Sequence, residues 1–93
     1  MRLADEEQLA IRETIRQADA DAMIYLFGSR TDEAAKGGDI DLLVLSKTIN
    51  LMAKLDILSQ LHRRLGERKI DIAVYADATR PFPKMVMHSA IPL

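Results

Sequence analysis

Apolar residues are spaced in different ways along the chain, and the spacing predicts the elements. Ile11, Ile15 and Ala18 recur at i, i+4 and i+7, with Glu13, Arg16 and Gln17 outside them, which predicts a helix over about residues 6–19. Asp5 followed by Gln8 resembles a capping box at its start. Residues 22–27 (AMIYLF) form a short continuous run of strand formers stopped by Gly28, and residues 39–45 (DIDLLVL) read as a second strand. Asn50 can cap a long helix that carries Leu51, Leu55, Leu58, Leu61 and Leu65 and ends at Gly66. Residues 70–75 (IDIAVY) are a third strand. Pro81 and Pro83 open a short last helix containing Met85 and Val86.

The order is helix, strand, strand, long helix, strand, short helix. Few strands and helices that need a sheet to cover imply an α/β (α+β) sandwich, a small mixed sheet flanked by helices. Side chains alternate across a strand, so Ile40, Leu42 and Val44 share one face while Asp39 and Asp41 share the other. In the third strand Ile70, Ile72 and Val74 form one face and Asp71 points to the opposite one. Antiparallel or staggered neighbours could bring the three carboxylates together, and the register is open at this point.

Ninety-three residues, 93 by count, allow one domain over 1–93 and bury roughly 60–65% of the unfolded surface, which leaves room for a partner. Aromatics are 4% of the chain, so Leu, Ile, Val, Ala and Met must build the core, and Tyr25 and Tyr75 can stack on a base only if their strands expose them. A net charge of −1 argues against broad nucleic-acid binding. The absence of cysteine excludes disulfides and thiolate metal sites. No apolar stretch approaches the roughly 20 residues that span a bilayer, and the acidic start MRLADEEQ is unlike a signal peptide. A cytoplasmic protein without membrane attachment is expected.

Candidate chemistry changes this picture at two places. Asp39 alone, after Gly37-Gly38, reads equally well as a turn residue. Asp41 is set among Ile40, Leu42, Leu43, Val44 and Leu45, where an unpaired carboxylate is costly to bury. Such charges are paired or bound to a metal. Two carboxylates on one strand face, about 7 Å apart, suit a hard divalent cation such as Mg²⁺, and Asp71 supplies a third. The alternative is an arginine partner, Arg30 or Arg68. Upstream, Gly28-Ser29 directly follows a strand, where glycine permits close approach and free N–H groups at a helix start favour a phosphate. Gly-Ser alone is a weak signal; its weight comes from the acids that follow. A phosphate-cradling turn and three acids are equipment for two-metal phosphoryl chemistry.

Gly28-Ser29, nine intervening residues, then Asp39-Ile40-Asp41-Leu42-Leu43-Val44 closely resembles the signature of the DNA polymerase beta-like nucleotidyltransferases, and within them the minimal nucleotidyltransferases called MNT proteins. The spacing is one residue shorter than in many members. The resemblance covers nearly the whole chain, through Ile70-Asp71-Ile72 to Ile91-Pro92-Leu93, and leaves no residues for the acceptor-recognition domain of larger members. It implies a polymerase beta palm-like fold and transfer of AMP from ATP. It also implies that Gly28, Ser29 and Arg30 contact the triphosphate, that Asp39, Asp41 and Asp71 hold two Mg²⁺ ions, and that Asp71 assists the nucleophile. The implied partner is a HEPN-domain toxin, a ribonuclease encoded by the neighbouring gene, which the chain neutralises as an antitoxin in a hetero-oligomer by adenylylating a tyrosine hydroxyl.

Other assignments compete. The acceptor could be a small molecule, another protein or an RNA end, or a non-catalytic antitoxin could act by binding alone. A plain structural domain would need all three acids to have unrelated partners. His62 reads as a partly exposed helix residue, and His88 can meet a partner or solvent. The cluster Arg63-Arg64 and Arg68-Lys69 reads as a solvated helix end, with RNA or an acidic partner face as the alternative. Of Met85 and Met87, one is needed for the core and the other is available for an interface.

Overall fold

A helix, α1 (Asp5–Ala18), is followed by β1 (Met23–Phe27), β2 (Ile40–Leu45), α2 (Leu51–Leu65), β3 (Ile70–Tyr75), α3 (Pro81–Val86) and β4 (Ile91–Pro92). These elements come from a computed structural model that describes residues 3–28, 39–66 and 68–93. The sheet order is β3-β2-β1-β4. β1 lies antiparallel to both β2 and β4, and β2 lies parallel to β3, so the sheet is mixed. The parallel step needs a crossover, and α2 supplies it. β4 has no counterpart among the expected elements, because a two-residue strand ending in proline carries no periodic signal.

Three local expectations are corrected. The α1 cap lies one residue earlier than Asp5: Ala4 is extended and its N–H donates to Glu7 Oε1 at 2.9 Å, while Asp5 is already helical. Ala18 is exposed, and Ala10 and Thr14 join Ile11 and Ile15 on the buried face instead. In α2, Asn50 caps as expected, its side chain accepting from Ala53 N at 2.9 Å. The buried stripe, however, runs through Ile57 and Leu61 with Leu58 and Leu65 half-buried, and Leu51 and Leu55 are exposed.

The sheet separates two cores. On one face Ile24, Leu26, Ile40, Leu42, Val44, Ile70 and Ile72 pack against Ile11 and Ile15 of α1 and Ile57 and Leu61 of α2. Each such side chain contributes about 1.5–3 kcal/mol on burial, so this face holds the fold together. On the other face Tyr25 and Leu43 meet Val86 of α3, with Phe27, Leu45, Ala73, Tyr75, Phe82 and Met87 around them. The Phe82 ring stands edge-on to Phe27 and stacks on Tyr75, both at 5.8 Å between centroids. Met87 thus serves the core, and Met85 is exposed.

The basic cluster does structural work. Arg64 pairs with Glu13 at 3.0 Å and Arg68 with Glu7, tying α1 to the end of α2 and the loop beyond it. Arg63 reaches Ser59 at 3.0 Å. Among the described residues, no helix is long and apolar enough to cross a membrane.

Candidate functional site

The expected acids lie on the α3 face of the sheet, toward the starting ends of β2 and β3. The parallel register sets Asp41 directly opposite Asp71, so the two carboxylates converge without any stagger. Asp39 immediately precedes β2 and is exposed, as is Asp71; Asp41 is half-buried. The apolar neighbours that made Asp41 conspicuous in the sequence occupy the opposite core and the adjoining ladder positions, and the carboxylate itself looks outward with its two fellows.

β1 delivers the turn. Phe27 is the register partner of Asp41, so Gly28 is the next residue along, beside the carboxylate. Gly28 has φ of 78°, in the left-handed region, and a Cβ built there would stand 2.7 Å from Asp41 Oδ2. A side chain there would displace the Asp41 carboxylate, and the left-handed backbone itself favours glycine. The structure thus sets Gly28 beside the acids. Ser29 and Arg30, the expected phosphate contacts, lie outside the described residues.

The charges are strained electrostatically. Burial pushes the Asp41 carboxyl above its ordinary value, and the nearby Asp71 and then Asp39 carboxylates push it further the same way, as does a hydrogen bond shared with Asp71. Lys69 acts in the opposite direction. It stands one residue before β3 and was not among the expected site residues; a cation beside the acidic strand start is the signal that could have found it. Arg68, one of the two arginines weighed as a partner, is committed to Glu7 instead.

A divalent cation fits this donor set by its chemistry. Asp41 and Asp71 offer hard carboxylate oxygens on adjacent strands, Asp39 lies within electrostatic reach, and the mutual repulsion is the kind a bound cation relieves. Among the described residues, no group of three or more His, Cys, Asp or Glu side chains is placed to hold a metal ion. His62 is exposed on α2, its Nε2 3.1 Å from the Arg68 carbonyl, on the opposite side of the sheet from the acids. Tyr25 is buried and Tyr75 is stacked on Phe82, which removes Tyr25 as a base-stacking platform and leaves Tyr75 half-covered.

A cavity of about 330 Å³ opens at the other end of the same strands, among Asp19, Met23, Ser46 and Asp77. It contains none of the expected site residues.

The family model described as "Polymerase beta, Nucleotidyltransferase" matches residues 10–93. That span contains Gly28, Asp39, Asp41 and Asp71. No curated protein matches the chain.

Proposed function

The chain belongs to the polymerase beta nucleotidyltransferase family, and from that premise we propose that it transfers a nucleoside monophosphate from a nucleoside triphosphate to a hydroxyl acceptor at Asp39, Asp41 and Asp71. Its four-strand mixed sheet and three helices are consistent with the fold of that family, whose members use a nucleoside triphosphate and a divalent metal. The observation that carries the proposal is the in-register facing of Asp41 and Asp71 beside the left-handed Gly28, whose Cα lies against the Asp41 carboxylate.

In this proposal Asp39 and Asp41 hold the metal and Asp71 completes the set. Divalent cations bound there would neutralise the triphosphate and polarise the acceptor hydroxyl. The acceptor oxygen forms a bond to the α-phosphorus as the bond to the β-phosphate oxygen breaks, and pyrophosphate leaves. Asp71, the exposed member of the facing pair, takes the acceptor proton and returns it to solvent. Gly28 keeps the space against Asp41 free of a side chain, and Ser29 and Arg30 contact the phosphates.

The finer assignment is AMP from ATP, with two Mg²⁺ ions, delivered to a tyrosine hydroxyl of a HEPN-domain toxin encoded beside this chain. Its support is the MNT-like pattern of Gly28-Ser29, Asp39-x-Asp41 and a third Asp on the following strand. The test is the intact mass of the neighbouring gene's protein after incubation with this chain, Mg²⁺ and ATP. A gain of one or more AMP masses, absent with the D39N/D41N variant, is the expected result. Tight association with no mass gain, and neutralisation that survives in the variant, would replace it with an antitoxin that acts by binding.

A further inference from the structure

On one side the sheet ends at β3, which pairs only with β2 among the described residues. A strand in that position presents a row of main-chain N–H and C=O groups to its surroundings. Proteins ordinarily blunt such an edge with proline, lysine, a bulge or a very short strand. The opposite edge of this sheet follows the rule, since β4 is two residues long and one of them is Pro92. β3 is blunted less: IDIAVY runs for six residues with neither proline nor lysine, and Asp71 is its one charge.

The helix flank above that edge is uncovered too. His62 Nε2 reaches the carbonyl of Arg68 just before β3, so the His62 flank of α2 lies over the β3 side. The Arg64 flank lies instead against Glu13 of α1. Leu51 and Leu55 precede His62 by close to whole helical turns and share its flank. They are 65% and 51% exposed, and Met52 beside them is 73% exposed. An open strand edge and an apolar helix flank therefore occupy one side of the molecule.

We propose that this side is the interface between two copies of the chain, with β3 pairing antiparallel to β3 of the second copy across a two-fold axis. Charge selects this occupant. Lys69 precedes the strand and Asp77 follows it, and both are exposed. Two-fold antiparallel pairing sets each end of a strand against the opposite end of its copy, so an edge with a cation at one end and a carboxylate at the other is complementary to itself. A register centred on Ala73 places Lys69 opposite Asp77 twice. It also keeps Ile72 and Val74 on the helix-covered face of the extended sheet, as the pleat requires. Thr79 already donates to Asp77 Oδ1, from its N–H at 3.0 Å and its hydroxyl at 2.6 Å, which leaves Oδ2 to receive the lysine. Asp71 then falls opposite Tyr75 of the second copy, so the interface borders the acidic centre.

Sedimentation equilibrium tests this directly at about 100 μM chain, well above the Kd of a micromolar contact. The expected mass is twice the 10.4 kDa of one chain. Lys69→Glu and Asp77→Lys should each weaken association at least about tenfold, the price of one 1.4 kcal/mol step, and the double variant K69E/D77K should restore it. Leu55→Glu, on the exposed flank away from both charges, should also yield monomer, with circular dichroism confirming that each variant is folded. A folded wild-type chain that stays monomeric overturns the proposal, as does a dimer indifferent to both charge reversals. The readout is mass and not transfer, so failure here leaves the nucleotidyl transfer proposal standing.

Discussion

The two ends of the central strands treat the same residue type in opposite ways. At the far end, Asp19 accepts from the Ser46 hydroxyl at 2.5 Å and from the Asp21 N–H at 2.9 Å, and Asp77 accepts twice from Thr79. Ser46, then the Asp21 amide, hold the Asp19 carboxyl below its ordinary value, and Thr79 does the same for Asp77. At the near end, burial and the neighbouring acids drive Asp41 upward. The far end is a hydrogen-bonded corner that stabilises a turn. The near end gathers three carboxylates around Asp41 with Lys69 acting against them, a clustering of titratable groups typical of functional sites.

Breaking the near end should have the largest consequence. Asn at both Asp39 and Asp41 removes the charges proposed to hold the metal, a contribution of several kcal/mol of transition-state stabilisation in metal-assisted phosphoryl transfer, so transfer should fall about 10³-fold or more. Release of pyrophosphate with an acceptor protein measures it, and near-normal turnover would dissociate the acids from catalysis. Gly28→Ala comes next, because it combines a left-handed backbone cost of about 1–2 kcal/mol with a Cβ placed 2.7 Å from Asp41 Oδ2. A thermal melt should show Tm lower by about 5–15 °C, and an unchanged melt would contradict the close approach.

Ser46→Ala attacks the far end. The hydroxyl donates to Asp19 and accepts from the N–H groups of Thr48 at 3.2 Å and Ile49 at 3.1 Å, at a residue only 7% exposed. Urea unfolding should report a loss of about 1–3 kcal/mol, with catalytic activity per folded molecule retained. A loss of transfer without a loss of stability would erase the distinction between the ends.

The smallest effect has the opposite sign. A carboxyl whose native value is raised binds protons more tightly folded than unfolded, so it subtracts from stability once pH exceeds the unfolded value. Asp41→Asn should therefore raise Tm slightly at pH 7, and the gain should fade as pH falls below the unfolded value near about 4, where the wild-type carboxyl is protonated in both states. Asp19 runs the other way: its lowered value supports the fold above the unfolded value, and that support is lost as pH falls through the native one. Melts of wild type and D41N across acidic and neutral pH separate the two contributions.

The acids were legible because Asp41 interrupts an apolar run and Asp71 repeats the pattern one strand later. Their convergence was not, since it depends on β2 and β3 being parallel and in register, which is set by the α2 crossover and not by either strand. The leucine spacing of α2 located the helix but misjudged its face: Ile57 is buried where Leu51 and Leu55 are not. Leucine reports helix and apolarity together, and only packing against α1 and the sheet decides which side turns inward. β4 escaped notice because two residues paired to β1 have no pattern of their own.

The parallel register has a consequence for how such a site can change through insertion and deletion. Four positions, 66–69, separate the end of α2 from the start of β3. Adding or removing one of them without compensation would slide β3 by a single rung, turning Asp71 into the leucine- and isoleucine-filled core and bringing an isoleucine out beside Asp41. The length of that connection is therefore as much a part of the acidic centre as the aspartates themselves, although none of its residues need touch a substrate.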